Sequence, residues 1–69
     1  MKLSARNQLK GTITDIKKGA VNSIVTIDVK GIPITATISN GSVENLELEV
    51  GKEAYAVIKA TSVMVGIDD

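Results

Sequence analysis

The feature that most constrains the fold of this chain is a strict alternation of β-branched apolar residues with polar ones. In the stretch VTIDV at 25–29, every second residue is valine or isoleucine. A period of two puts successive side chains on opposite faces of a strand, so such a strand has one apolar and one polar face. Glycines at 19, 31 and 51 separate the alternating stretches, as turns require. The pattern predicts an all-β domain.

Read along the whole chain, the pattern predicts five strands and one short helix. The predicted strands cover approximately Asn7–Ile16, Val21–Lys30, Ile32–Ile38, Glu53–Ala60 and Ser62–Ile67. The alternation slips at Ile16, which predicts a β-bulge near Asp15. Ser39 and Ser42 are good helix N-caps, so one or two helical turns, or a 3₁₀ turn, are expected within 39–46. Five strands with a helix between the third and fourth form an OB-like Greek-key barrel.

The turns and the single proline agree with this order. Residues 17–19, 30–31 and 49–52 have the composition of turns. Pro33 lies within the third predicted strand, and its nitrogen has no proton to donate. Its nitrogen is therefore expected to face away from any partner strand.

The chain is short for a stable globular protein. Its 69 residues are expected to form one domain, residues 1–69. Domains of this size bury only about 60% of their unfolded surface and often need disulfides, a metal or association. The sequence has no cysteine and no histidine, which excludes disulfides and ordinary zinc or haem sites. Association of several copies is therefore expected.

Charge and aromatic content argue against nucleic-acid and membrane partners. Eight basic and eight acidic residues give a formal net charge of zero, so long-range attraction to polyanions is absent. Tyr55 is the only aromatic residue, whereas OB-like proteins that bind single strands stack bases on several. The N-terminus has no signal-peptide core, and no stretch approaches ~18 apolar residues. A cytoplasmic location is expected.

An enzyme is also disfavoured. General acid–base and nucleophilic catalysis rely on a tuned histidine, a cysteine or paired carboxylates in a cleft. Histidine and cysteine are missing, and the acidic residues fall in predicted turns or at solvent-facing strand positions. A chain this small can hardly enclose a catalytic cleft. We therefore expect a binding module without a cofactor.

Hydrogen-bond donors gather in three segments near predicted strand ends. The segments are 4–8, 39–42 and 59–61, and none contains Asp or Glu. Taken singly, each has a plain explanation as a polar arm, a helix cap or a solvated charge. Together they suit a tetrahedral dianion such as molybdate, which accepts hydrogen bonds and donates none.

Three stretches resemble the molbindin (Mop) family of small cytoplasmic molybdate-binding proteins. They are SARNQLKGTI at 4–13, ATISNGSVENLEL at 36–48 and AVIKATSVMVGI at 56–67. The resemblance covers almost the whole chain and implies an OB-like barrel. It also implies a homohexamer, arranged as a trimer of dimers, with oxyanion sites at subunit interfaces.

The resemblance further implies which residues hold the anion. Ser4 and Arg6 would come from one subunit, and its neighbour would supply Ser39, Ser42, Lys59 and Ala60. The serines and the amide of Ala60 would donate hydrogen bonds, and Lys59 would supply charge. Arg6 would either contact the anion through its backbone or brace the interface. A second oxyanion site, built largely of backbone groups, would involve the turn Lys18, Gly19, Ala20 and Val21. No residue is expected to bind a metal cation directly.

Two functions from different classes remain open. The first is storage or buffering of molybdate, or of tungstate, in a homo-oligomer. A chain without a DNA-binding or ATPase domain fits storage better than sensing. The second is a structural or protein-interaction module that shares the fold and binds no anion.

Overall fold

One antiparallel sheet forms the body of the computed structural model, which describes residues 1–69. The elements are β1 (Asn7–Lys18), β2 (Asn22–Val29), β3 (Ile32–Ser39), α1 (Asn40–Asn45), β4 (Glu53–Ile58) and a 3₁₀ helix (Ala60–Ser62). The strand order is β3-β2-β1-β4. The predicted OB-like, mostly β fold with a short helix between the third and fourth strands is confirmed.

The long strand β1 serves two partners in succession. Residues 7–12 pair with β4, and residues 12–18 pair with β2. The register shifts between Ile13 and Asp15, so the predicted bulge is confirmed. A bulge bends a strand and increases its twist. It also keeps both Ile13 and Ile16 on the core side and curls the sheet into a half-barrel.

A tight hairpin joins β2 to β3. Lys30 and Gly31 connect the strands, and their φ angles are 51° and 88°. Positive φ at both central residues is the signature of a type I′ turn, whose twist matches that of the paired strands. Pro33 lies on β3, an edge strand of the sheet, where its missing N–H is tolerated.

The interior of the chain is small. Four apolar side chains are fully buried, namely Ile13, Val25, Ile27 and Ala56. Seven partly buried residues pack around them, and these include Val43 of α1. Gly11 lies at a close approach of β1 to β2, since a Cβ there would come 2.3 Å from the Asp28 carbonyl oxygen. No helix has both the length and the apolar character that a membrane crossing requires.

The predicted fifth strand, Ser62–Ile67, is wrong for the single chain. β4 ends at Ile58, the 3₁₀ helix follows, and residues 63–69 pair with nothing. A strand needs a neighbour to satisfy its backbone groups, and this segment has no strand partner within the chain. The first turn is also shorter than predicted, because Lys17 and Lys18 continue β1.

Candidate oxyanion site

A shallow pocket opens where the N-terminal arm meets the end of β4. Asn7 pairs with Ile58, so the residues preceding β1 lie beside those following β4. The pocket has a volume of about 120 Å³ and is lined by Ser4, Ala5, Arg6, Lys59, Ala60 and Thr61. We term this set the lysine pocket. Pockets for drug-sized ligands measure roughly 300–1,000 Å³, so this one suits a small ion.

The lysine pocket carries two positive charges and no negative one. Arg6 and Lys59 belong to its lining, which contains no Asp or Glu. The ion pairs of the chain lie elsewhere, between Lys10 and Glu53 and between Lys52 and Glu49. The two cations are therefore uncompensated within the chain, which favours an anionic ligand.

Side-chain amides hold the two walls of the lysine pocket. Gln8 donates through Nε2 to the Ala5 carbonyl at 2.9 Å, and Asn7 donates through Nδ2 to the Ile58 carbonyl at 3.2 Å. On the other wall, the amide of Ser62 donates to the Lys59 carbonyl at 2.9 Å. No hydrogen bond within the chain uses the amide of Ala60, so this N–H is available to a ligand.

Two hydroxyls meet where β3 ends and α1 begins. The Ser39 hydroxyl accepts from the Ser42 amide at 3.0 Å, which caps α1 as predicted. The two hydroxyl oxygens lie 2.8 Å apart. One hydroxyl must donate to the other, which leaves the second proton for an outside acceptor. We term Ser39 and Ser42 the serine cluster.

The turn between β1 and β2 lies against the serine cluster. Its own hydrogen bond runs from the Gly19 amide to the Asn22 carbonyl at 2.8 Å. The amides of Ala20 and Val21 make no hydrogen bond within the chain, and Val21 is 72% exposed. These are the free backbone donors that the second predicted site, Lys18–Val21, would need.

The structure divides the six predicted ligands differently from the expectation. Ser4 and Arg6 share one pocket with Lys59 and Ala60 of the same chain, although the resemblance implied two subunits for these pairs. The serine cluster lies beyond the opposite end of β1. Lys18, the last residue of β1, pairs with Ser23, and the neighbouring Asn22 pairs with Ser39. Twelve strand residues span roughly 36 Å when extended, so one ion cannot reach both sets within one chain.

Sequence reasoning missed several participants. Thr61 and Ala5 also line the lysine pocket. Both lie in segments that the sequence marks as rich in donors. The sequence does not reveal that Asn7 pairs with Ile58, which brings the two segments together. Asn40 also went unnoticed, because no periodicity reveals that its side chain returns to the first hairpin. No cluster of His, Cys, Asp and Glu able to hold a metal ion is present.

Comparison with known proteins identifies the family of the chain. The TOBE domain model matches residues 3–65. The chain therefore belongs to the TOBE-domain family, and within that family to the molbindin (Mop) proteins.

Individual relatives make the assignment concrete. A probable molybdenum-pterin-binding protein of Haemophilus influenzae is 59% identical over 99% of this chain and 100% of its own length. The molybdate-binding protein from Sporomusa ovata superposes with a TM-score of 0.92 at 39% identity, over 97% of this chain and all of that one.

The cytoplasmic molybdate-binding protein ModG, solved with molybdate bound, superposes with a TM-score of 0.93 at 43% identity. That match covers 99% of this chain and 49% of ModG. This chain is thus similar to about half of ModG.

Proposed function

We propose that the chain binds molybdate, with tungstate as an alternative ligand, and that it stores or buffers this oxyanion in the cytoplasm. The observation that carries the proposal is the lysine pocket, in which Arg6 and Lys59 stand without a counter-ion. The names of its relatives support the same ligand, and the description of ModG as cytoplasmic supports the location.

The chemistry of the ligand fits the donors on offer. Molybdate is a dianion that only accepts hydrogen bonds, so a carboxylate in its site would be repulsive. Lys59 would offset part of the charge, and Arg6 would donate from its side chain or brace the pocket. Ser4 and the free amide of Ala60 would donate from the two walls of the pocket. The mechanism is reversible capture, in which these groups replace the water shell of the ion.

A complete site would need a second copy of the chain. In the proposed homo-oligomer, the serine cluster of one copy would complete the lysine pocket of another. The hexamer, a trimer of dimers, follows from the resemblance to molbindins. The turn Lys18, Gly19, Ala20 and Val21 would form the second site.

The single chain also leaves much apolar surface uncovered, which supports association. Only five of 69 residues are buried. The segment after the 3₁₀ helix exposes Val63, Met64, Val65 and Ile67, three of them by about nine-tenths or more. Both edge strands, β3 and β4, are open on one side. Exposed apolar segments and open edges of this kind are normally covered by a partner.

Titration calorimetry with molybdate and sulfate tests the ligand. Tight binding of molybdate and much weaker binding of sulfate are expected, because the larger ion spans donors placed on two chains. Elemental analysis of the purified protein should also find molybdenum or tungsten. Absence of heat with molybdate, or equal affinity for both ions, would favour the module that binds no anion.

Sedimentation of the same sample tests the assembly. The expected mass is several times that of the 7.2 kDa chain. A monomer at micromolar concentration would contradict the shared site even if some anion binding remained.

A further inference from the structure

Asn40 occupies the junction between the serine cluster and the turn at 18–21. Its backbone amide donates to the Val21 carbonyl at 2.9 Å, and its side-chain Nδ2 donates to the Gly19 carbonyl at 2.9 Å. The hydroxyl of Ser23 donates to Oδ1 of Asn40 at 2.5 Å. Three hydrogen bonds thus fasten one residue of α1 to the first hairpin.

The anchor of this arrangement is the most protected polar group in the chain. Ser23 is 1% exposed and is the only buried polar residue. Its hydroxyl donates to Asn40, which is half-buried. A buried hydroxyl that lost its partner would pay a desolvation penalty, so the pair with Asn40 contributes to the stability of the fold. The backbone amide and Nδ2 of Asn40 are held independently of Ser23, by the carbonyls of Val21 and Gly19.

Holding the Gly19 carbonyl determines where the next amide points. The peptide bond between Gly19 and Ala20 is trans and planar, so its C=O and N–H point in opposite directions. When Asn40 draws this carbonyl toward α1, the Ala20 N–H is turned away from the helix. That N–H has no partner within the chain. Because Ser39 directly precedes Asn40, the hydrogen bonds of Asn40 also hold Ser39 in place.

From this juxtaposition we infer that Asn40 is a positioning residue for both oxyanion sites. It aims the free amide of the 18–21 turn and fixes the serine cluster relative to that turn. The inference rests on the proposed function, because it concerns the same two sites. It adds that both sites depend on the hydrogen bonds of Asn40 and lose affinity together when its side chain is removed.

The test compares Asn40→Ala with two controls in the assembled protein. Asn45→Ala makes the same substitution in the same helix, at an exposed residue without side-chain hydrogen bonds. Ser23→Ala removes a buried hydroxyl and should lower the melting temperature, yet it leaves the donor from Asn40 to Gly19 in place. It therefore reports what a loss of stability alone does to binding.

Molybdate is titrated into each variant by calorimetry, and the amide signal of Ala20 is followed by NMR. Asn40→Ala is expected to weaken both classes of site roughly tenfold, the effect of about one lost hydrogen bond per site. It should also abolish the ligand-induced shift of the Ala20 amide. Asn45→Ala should match the wild type. Ser23→Ala should retain the Ala20 shift and most of the affinity.

Two results would overturn the inference while the proposed function stands. One is a wild type that binds molybdate and an Asn40→Ala variant that binds it equally well at either class of site. The other is an equal loss in Asn40→Ala and Ser23→Ala that tracks their melting temperatures. A wild type that binds no molybdate overturns the proposed function and this inference together.

Discussion

The lysine pocket and the serine cluster lie at opposite ends of β1 and are built in contrasting ways. The serine cluster has no charge, but its hydroxyls are fixed by the helix cap and by Asn40, which is tied to the first hairpin. The lysine pocket has two charges, but its ionic side chains are exposed and have no ion-pair partner. The serine cluster offers hydrogen-bond donors in fixed positions, and the lysine pocket offers positive charge. A dianion bound selectively needs both, which is why the proposed site joins two chains.

This contrast predicts that Lys59→Ala has the largest effect on binding and almost none on folding. A charge-assisted hydrogen bond contributes about 1.5–3 kcal/mol, so molybdate affinity should fall roughly ten- to a hundredfold. Lys59 is exposed and outside any ion pair, so the melting temperature should stay unchanged. Calorimetry and thermal unfolding measure the two quantities. Lys10→Ala, which removes the same charge outside the pocket, is the control and should bind normally.

Unlike Lys59→Ala, Ser39→Ala should lower the stability of the fold as well as the affinity for molybdate. The Ser39 hydroxyl caps α1 through the Ser42 amide, and losing an N-cap costs about 1 kcal/mol of unfolding free energy. Urea unfolding monitored by circular dichroism gives this value. Ser39→Thr keeps the hydroxyl and should restore most of it. Unchanged stability in the alanine variant would show that the cap contributes nothing.

Ser42→Ala separates the hydroxyl from the cap. The cap bond uses the backbone amide of Ser42, which the substitution retains. Stability should therefore stay close to wild type, while molybdate affinity falls about two- to tenfold for one neutral hydrogen bond. The comparison with Ser39→Ala is decisive when both variants are measured in one assay. Equal losses of stability would mean that the two hydroxyls do not have distinct roles.

Gln8→Ala should have the smallest effect. It frees the Ala5 carbonyl and loosens the arm that carries Ser4 and Arg6. Ordering the arm again on binding should cost about a two- to threefold loss of affinity, since the bond is exposed. Gln8→Met removes the same donor at a similar size without adding charge and should reproduce the loss. A tenfold or larger effect would mean that the arm is the dominant wall of the pocket.

Much of the fold could be predicted because it follows from local patterns in the sequence. The alternation marked four strands, the slip at Ile16 marked the bulge, and Ser39 marked the start of α1. The fifth strand failed because Ser62–Ile67 has the composition of a strand but no partner in its own chain. Alternation reports which faces are apolar and says nothing about what covers them.

The candidate site was predictable in its residue types and not in its grouping. The donors in 4–8 and 59–61 share a pocket only because Asn7 pairs with Ile58, a contact between distant parts of the sequence. Likewise, nothing near Asn40 in the sequence marks Ser23 as its partner. Long-range pairing is set by packing of the whole sheet, which residue periodicity does not encode.

The small interior described above has a thermodynamic consequence. A chain with five buried residues gains little free energy by folding alone. On the proposed assembly, folding and association become one equilibrium, so the melting temperature rises with protein concentration. An anion that bridges two copies adds to the same equilibrium by mass action. The bound anion would then stabilise the oligomer. On dilution, the anion-free oligomer would dissociate at a higher protein concentration than the anion-bound one.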